Sequence, residues 1–352
     1  MTIERSDSIL YLSKQEVEVA CRDIDSVAVI REVFRLHATG QTILPDEAYL
    51  GWTNVHGEHV RSLNMPGYLG GSMLCAGTKI INGNNDNALR GLPRASGLTH
   101  LFEGDSGRIA CIMEGASISS LRTASVSLLA AEVFKGREVA CAAFIGAGVQ
   151  AQAHIALLLK RLEFYPFLHQ IILFDAVEER AKTLYSTLLS QLEALDINCS
   201  IASTAEDAVR RGQLVVAVTT TTVGYIPYEW LQPGGIFVNV SLDDALPEVV
   251  LRADKVIVDD WSLVKHDTKR LLGRMYRAKQ ILGPDEPEDP SHSCRHVDAQ
   301  LGEIIAGEKV GRENIDDIIL VNPFGMAIED IAIASIVYQN AQKRSLGTWL
   351  AR

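Results

Sequence analysis

The stretch ACAAFIGAGVQA, residues 140–151, decides the fold. Its apolar run from Ala140 to Ile145 reads as a strand and feeds directly into Gly146-Ala147-Gly148-Val149-Gln150-Ala151, a G-x-G-x-x-A turn. Beyond the turn, Ala151, Ile155, Leu158, Leu159 and Leu162 recur at helical spacing. A second apolar run, Ile171 to Phe174, ends in Asp175. Strand, glycine turn, helix, strand and acid follow in the order of a dinucleotide-binding βαβ unit. Gly146 permits the tight turn, and Gly148 lets a pyrophosphate approach the backbone. Ala151 keeps helix and strand close, while the helix N-terminus faces the phosphates. Asp175 accepts hydrogen bonds from both ribose hydroxyls of an adenosine, which points to NAD rather than NADP. A plain βα turn needing small residues is the bland alternative, and the acid after the second strand argues against it.

Around this unit the chain reads as regular α/β. Strands are expected at 140–145, 170–174, 197–201, 214–218, 236–240 and 255–258, and Ser203-Thr204-Ala205-Glu206 reads as a capping box. Apolar strands alternating with helices imply a parallel, doubly wound sheet, a Rossmann domain. Residues before about 115 carry short apolar runs such as Met73–Ile81 and Ile109–Met113, with turn-rich loops at 66–71 and 82–94, and read as a mixed α+β domain. A helix rich in Ala and Ser runs from near Ser119 to Phe134. The acidic, proline-rich segment 283–293 reads as an exposed loop. From about 310 the chain is expected to fold back on the first domain through a helix containing Met326–Ala332. The expected division is 1–125 with 310–352, and 126–309.

With 352 residues, 47% hydrophobic and 22% charged, the chain has the composition of a two-domain globular protein. A formal net charge of −11 argues against nucleic acid or an anionic membrane as partner. No basic n-region with an apolar core opens the chain, and six scattered cysteines without a C-x-x-C pair fit reduced thiols, so a cytoplasmic protein is expected, with Cys141 in the core. No H-E-x-x-H occurs, and His292-x-Cys294-x-His296 has poor ligand spacing, so no metal is expected.

Ligands of such sheets lie beyond the C-terminal strand ends. There, Val215–Val218 runs into four threonines, Thr219 to Thr222, which either line the cofactor crevice or simply cap the strand. Val238–Ser241 runs into Leu242-Asp243-Asp244, where a carboxylate either reaches the reacting carbon or caps the next helix. Arg61, Lys79 and Arg122 lie in or beside apolar segments. A cation there needs an anion, either an internal carboxylate or that of a substrate. The basic segment 265–279 is either an exposed helix or a site for an acidic ligand.

Met65-Pro66, Gly77-Thr78-Lys79, Asn87 followed by Gly91-Leu92-Pro93, Arg122-Thr123-Ala124, the glycine turn and Asp244 together resemble the ornithine cyclodeaminase and mu-crystallin family, in order and along nearly the whole chain. The resemblance implies a substrate-binding and dimerisation domain completed by the C-terminal segment, a Rossmann domain between, and a homodimer. It implies that Lys79, Arg122 and, less securely matched, Arg61 bind the substrate carboxylate, and that Asp244 does the proton chemistry. The expected cofactor set is Gly146, Ala147, Gly148, Val149, Gln150, Asp175, Thr219, Thr220, Thr123 and Ser241. MPGYLGG (65–71), RGLPRAS (90–96), VSLDDALPE (240–248) and NPFGMAIEDIA (322–332) resemble the family's dehydrogenases of 2,3-diaminopropionate biosynthesis. That implies oxidation of N-(1-amino-1-carboxy-2-ethyl)-glutamate with NAD to 2-oxoglutarate and 2,3-diaminopropionate, a precursor of siderophores and peptide antibiotics. The family's cyclodeaminases carry a G-G-D-x-P-G-K-x-E type loop where this chain has Ser241-Leu242-Asp243-Asp244, which disfavours ornithine cyclisation. An ornithine or lysine cyclodeaminase, an imine or ketimine reductase, and a crystallin-like dinucleotide-binding protein stay open as alternatives.

Overall fold

Mixed α/β structure fills both of the compact units into which a computed structural model divides the chain, residues 1–122 with 325–352 and residues 123–324. It describes residues 7–287 and 294–352. In chain order the elements begin with β1 (Ser8–Leu12), α1 (Lys14–Cys21), α2 (Ser26–Ala38), β2 (Thr42–Ile43), β3 (Ala48–Thr53), β4 (His59–Leu69), β5 (Cys75–Asn84), β6 (Ala95–Phe102), β7 (Ile109–Glu114) and α3 (Ala116–Val133). They continue with β8 (Cys141–Ile145), α4 (Val149–Leu159), β9 (Gln170–Phe174), α5 (Glu178–Ala194), β10 (Asn198–Ile201), α6 (Ala205–Arg211), β11 (Leu214–Ala217), β12 (Ile236–Asn239), α7 (Pro247–Arg252) and β13 (Lys255–Val258). Then come α8 (Trp261–His266), α9 (Leu271–Arg277), β14 (Ile281–Leu282), β15 (Arg295–His296), β16 (Ala299–Gln300), α10 (Leu301–Ile305), β17 (Ile319–Asn322), α11 (Ala327–Lys343) and β18 (Thr348–Ala351).

The first unit is built on a mainly antiparallel sheet, ordered β18-β1-β7-β6-β5-β4-β2 with β3 also on β4. Helix α11 packs on β4, β5 and β6, and its buried residues include Ile328, Ile331 and Val337. The expected loop at 66–71 is largely strand instead, since β4 continues through Pro66 and Gly67 to Leu69. Proline is tolerated there because β3 pairs with β4 only as far as Asn64 and β2 begins at Tyr68, leaving that side of Pro66 without a ladder.

The second unit is a wholly parallel sheet in the order β10-β9-β8-β11-β12-β17-β13-β16. Its central strands are buried on both faces, as their continuous apolar runs require. The order reverses between β8 and β11, the switch point where such sheets bind ligands. Two expectations are corrected here. Residues 310–324 do not join the first domain, because β17 is inserted between β12 and β13. Helix α6 is capped by Thr204, whose side chain accepts from the Asp207 amide, one residue later than the Ser203 box. Cys141 is buried in β8. Helices α3 and α4 are tied through His154. Its Nδ1 donates to the Gln150 carbonyl at 2.7 Å, so Nε2 accepts from the Ser127 hydroxyl at 2.9 Å, and burial lowers its pKa to about 4.

Candidate active site

The exits of β8, β11 and β12 gather most of the residues expected to hold a dinucleotide. Gly146 has φ +96°, and a Cβ on it would lie 3.0 Å from the Val218 carbonyl and 3.2 Å from the Thr219 amide, so only glycine closes this turn. Gly148 caps α4 without a side-chain hydrogen bond, and a Cβ on it would meet open space. The first amides of α4 are therefore turned to solvent at an end suited to phosphate. Val149 is exposed, Ala151 is fully buried, and Gln150 keeps a buried Oε1 without a hydrogen-bond partner among the described residues. The Asp175 carboxylate accepts from the Ala147 amide at 2.9 Å and from the Val177 amide at 2.8 Å, so it braces the glycine turn as well as closing β9. An uncapped helix end, an open glycine and a fixed acid at the next strand exit fit a dinucleotide. Thr220 is exposed, and Thr123 lies in α3.

Asp244 is fully buried and caged by hydroxyls. Thr219 Oγ1 and the Tyr225 phenol each donate to its Oδ1 at 2.8 Å, and Ser241 Oγ donates to Oδ2. Burial pushes its pKa above the ordinary aspartate value, the three hydroxyls oppose the rise, and the Asp243 charge adds to it. Thr219 thus faces the carboxylate and, through its amide, Ser241 Oγ at 3.2 Å. The sequence reading missed Tyr225. Burial and then the Asp244 charge push its pKa up, so the phenol stays a donor, and the Asp175 charge acts on it too. Its only signal was an aromatic residue soon after the threonine run.

Asp243 plays a different part from its neighbour. Its carboxylate, 4% exposed, takes a two-pronged bond from Arg274 of α9 at 2.9 and 3.1 Å. The basic segment 265–279 is therefore neither a single exposed helix nor a free cationic patch. Arg277 donates to the carbonyls of Gly273, Lys265 and His266, and Arg270 donates to the Phe324 carbonyl and stacks 4.4 Å from its ring centre. Its partner makes Asp243 a structural residue. Asp243→Asn should lower unfolding stability in urea by about 1 kcal/mol, a modest figure because Arg274 stays half in water. An unchanged midpoint contradicts this.

The first unit brings Lys79 and Arg122 together around two acids of α11. Lys79 Nζ, 2% exposed, lies 2.7 Å from Asp330 Oδ2. Arg122 donates to Glu329 Oε2 at 2.9 Å, and its Nε lies 3.2 Å from Asp330 Oδ2. Gly325, at φ +91°, leaves room for the Arg122 guanidinium where any Cβ would collide with it. Burial lowers the Lys79 pKa against the opposing pull of Asp330. Both cations thus have internal partners, yet Asp330 Oδ1 and Thr99 Oγ1, on the strand beside Lys79, are buried without hydrogen-bond partners among the described residues. Arg61 lies elsewhere on the same sheet, on β4 opposite Gly83. His292 falls outside the described residues, and among those described no cluster of three or more His, Cys, Asp or Glu is placed to hold a metal. Among them, too, no helix is long and apolar enough to cross a membrane.

A doubly wound parallel sheet with a G-x-G-x-x-A turn at its switch point and an acid at the next strand exit defines a dinucleotide-binding protein. The chain belongs to the ornithine cyclodeaminase/mu-crystallin family, whose sequence profile matches residues 8–345. It is 33% identical to the N-((2S)-2-amino-2-carboxyethyl)-L-glutamate dehydrogenase of Staphylococcus aureus, over 97% of this chain and 98% of that one. The crystal structure of CmnK superposes with a TM-score of 0.86 at 33% identity, covering 98% of each chain. An archaeal alanine dehydrogenase dimer with bound NAD superposes with a TM-score of 0.80 at 27% identity, covering 97% of this chain and 99% of that one.

Proposed function

We propose that this protein is an NAD-dependent dehydrogenase that oxidises N-((2S)-2-amino-2-carboxyethyl)-L-glutamate at the glutamate α-carbon, releasing 2-oxoglutarate and 2,3-diaminopropionate. The observation that carries this reading is the end-to-end likeness to the staphylococcal dehydrogenase. Gly148, the first amides of α4 and Asp175 hold the dinucleotide; the NAD bound in the archaeal relative supports the choice of cofactor. NAD supplies the acceptor for the hydride that leaves the α-carbon.

The substrate nitrogen must be neutral for hydride to leave, and Asp244 is the base that takes its proton. Because the Asp244 carboxylate is fully covered, the proton reaches it through a hydroxyl of Thr219, Ser241 or Tyr225. Loss of hydride leaves a C=N⁺ iminium, water adds to its carbon, and the carbinolamine collapses to a ketone and a primary amine. Arg122, with Lys79 behind it, and Arg61 fix carboxylates, and such positioning is a large part of the rate gain.

Incubating the adduct with NAD should produce NADH, 2-oxoglutarate and 2,3-diaminopropionate in equal amounts, while ornithine gives no proline. Proline from ornithine with the adduct untouched overturns the reading. The wild-type protein should prefer NAD to NADP, since a 2′-phosphate meets the Asp175 carboxylate. Asp175→Ser should narrow that preference and weaken NAD binding as well, because the Ala147 amide loses its acceptor; equal affinity of the wild type for both cofactors refutes this.

The active form is a homodimer in this proposal. Strand β3 is exposed along its whole length and carries Tyr49, Leu50 and Trp52, an apolar surface that a second copy would cover. The dimer described for the archaeal relative supports it. Sedimentation of the wild type as a dimer and of Leu50→Glu/Trp52→Glu as a monomer is expected; a monomeric wild type contradicts it.

A further inference from the structure

The three hydroxyls around Asp244 have different surroundings. Thr219 Oγ1 accepts from the Thr221 amide at 3.1 Å while it donates to Asp244 Oδ1. Ser241 Oγ accepts from the Thr219 amide at 3.2 Å, and its one proton has two acceptors, Asp244 Oδ2 and, at 3.1 Å, the Ala217 carbonyl. Both are thus tied to the main chain as well as to the carboxylate. The Tyr225 phenol donates to Oδ1 at 2.8 Å, and among the described residues its oxygen accepts from nothing. A hydroxyl can donate one proton and accept at its lone pairs at the same time, so the phenol oxygen keeps its accepting side for a proton from outside the cage.

Main-chain bonds hold this phenol in register with the carboxylate. The Tyr225 and Ile226 amides both donate to the Asp244 carbonyl, at 3.0 and 2.9 Å, and the Leu246 amide donates to the Ile226 carbonyl at 2.9 Å. Ile226 and Ala245 pair there as a short parallel bridge. A Cβ on Gly224 would stand 2.7 Å from the Ala245 carbonyl, so glycine is what lets the two segments come this close. The Tyr225 ring packs against the core of the parallel sheet, and the residue keeps some exposure where Asp244 has none.

We propose that Tyr225 is the hydroxyl that carries the proton from the substrate nitrogen to Asp244. This rests on the reading of Asp244 as the base in the oxidation above. An N–H bond of the substrate ammonium breaks as its proton joins the phenol oxygen, and the phenol's own proton passes to Asp244 Oδ1. The substrate is left as a neutral amine, Asp244 as a carboxylic acid and the phenol as it began. Burial and the Asp244 charge disfavour a phenolate, so the phenol gives up one proton as it takes the other.

Thr219 supplies a matched control, since it donates to the same oxygen at the same distance. Each hydroxyl lowers the Asp244 pKa, so Tyr225→Phe and Thr219→Val should both move the acidic limb of kcat to higher pH. A relay adds a loss on the plateau above that limb, where Asp244 is ionised in both variants. There kcat of Tyr225→Phe should lie at least about tenfold below that of Thr219→Val. Phenylalanine keeps the ring in its packing, and NAD affinity should stay close to wild type. With the proton step now limiting, Tyr225→Phe should also lose the slowing that deuterium at the substrate α-carbon causes and become slower in D2O. Equal plateaus for the two variants, or a Tyr225→Phe rate that still depends on the α-deuterium, overturn the relay. If the adduct is not oxidised, L-alanine and L-proline serve as amine probes, because the proton step is common to all three. The same comparison on a probe that turns over then decides the relay, while the assigned substrate falls. No NADH from any of the three overturns both.

Discussion

Asp244→Asn should bind NAD and substrate normally and lose about 10²–10⁴-fold in kcat. The amide keeps the shape of the carboxylate, and its oxygen still accepts from Thr219 and Tyr225 where Oδ1 does now. What it loses is the capacity to take a proton. The pH profile carries a second signature. Asp244 works as a base only when ionised, and burial raises its pKa above the ordinary aspartate value. Wild-type activity should therefore be full above that raised pKa and fall as pH drops through it, while the residual activity of the variant lacks this acidic limb. Stability should move the other way. A carboxyl whose folded pKa is raised disfavours the folded state at pH above that pKa, so removing the charge should leave thermal stability at neutral pH equal or higher. A variant with wild-type kcat removes Asp244 from the chemistry, and one that unfolds at neutral pH contradicts the stability argument.

Arg122→Leu should cost about 3–5 kcal/mol of stability, because Glu329 and Asp330, both buried, then lose the cation they share. Lost activity in this variant alone therefore says nothing about substrate binding. The double variant Arg122→Leu/Glu329→Gln separates the roles. Neutralising one acid should recover much of the unfolding free energy, and kcat/KM for the adduct should stay low by an amount corresponding to about 2–5 kcal/mol. If both stability and kcat/KM return, Arg122 serves only the internal ion pair.

Much of the second unit was legible because its physics is local. Strands buried on both faces must be continuous apolar runs, and β8, β9, β11, β12 and β13 each lie within one residue of the expected bounds. The glycine turn was readable because a positive φ and a near collision with Val218 leave no other residue possible at Gly146. What escaped depends on partners distant in sequence. Strand β17 is four residues long and follows a long irregular stretch, and only its insertion between β12 and β13 assigns it to the parallel sheet. Glu329 and Asp330 were seen as part of a helix, but nothing near them in sequence says that they neutralise Lys79 and Arg122. The two aspartates of the Leu242-Asp243-Asp244 turn look alike in sequence; Arg274 on one and three hydroxyls on the other set them apart. Around Asp244, Thr219 and Ser241 were expected to hold the cofactor rather than the carboxylate, and Tyr225 was not singled out.

The central claim is that hydride leaves the α-carbon of the glutamate moiety and that the C–N bond beyond it then breaks. Adduct carrying deuterium at that carbon, incubated with NAD and followed by mass spectrometry, tests it most directly. The account predicts one deuterium on each NADH formed, none in the 2-oxoglutarate, unlabelled 2,3-diaminopropionate in equal amount, and a rate lowered by the isotope. Unlabelled NADH, or deuterium kept in a ketoacid product, contradicts it.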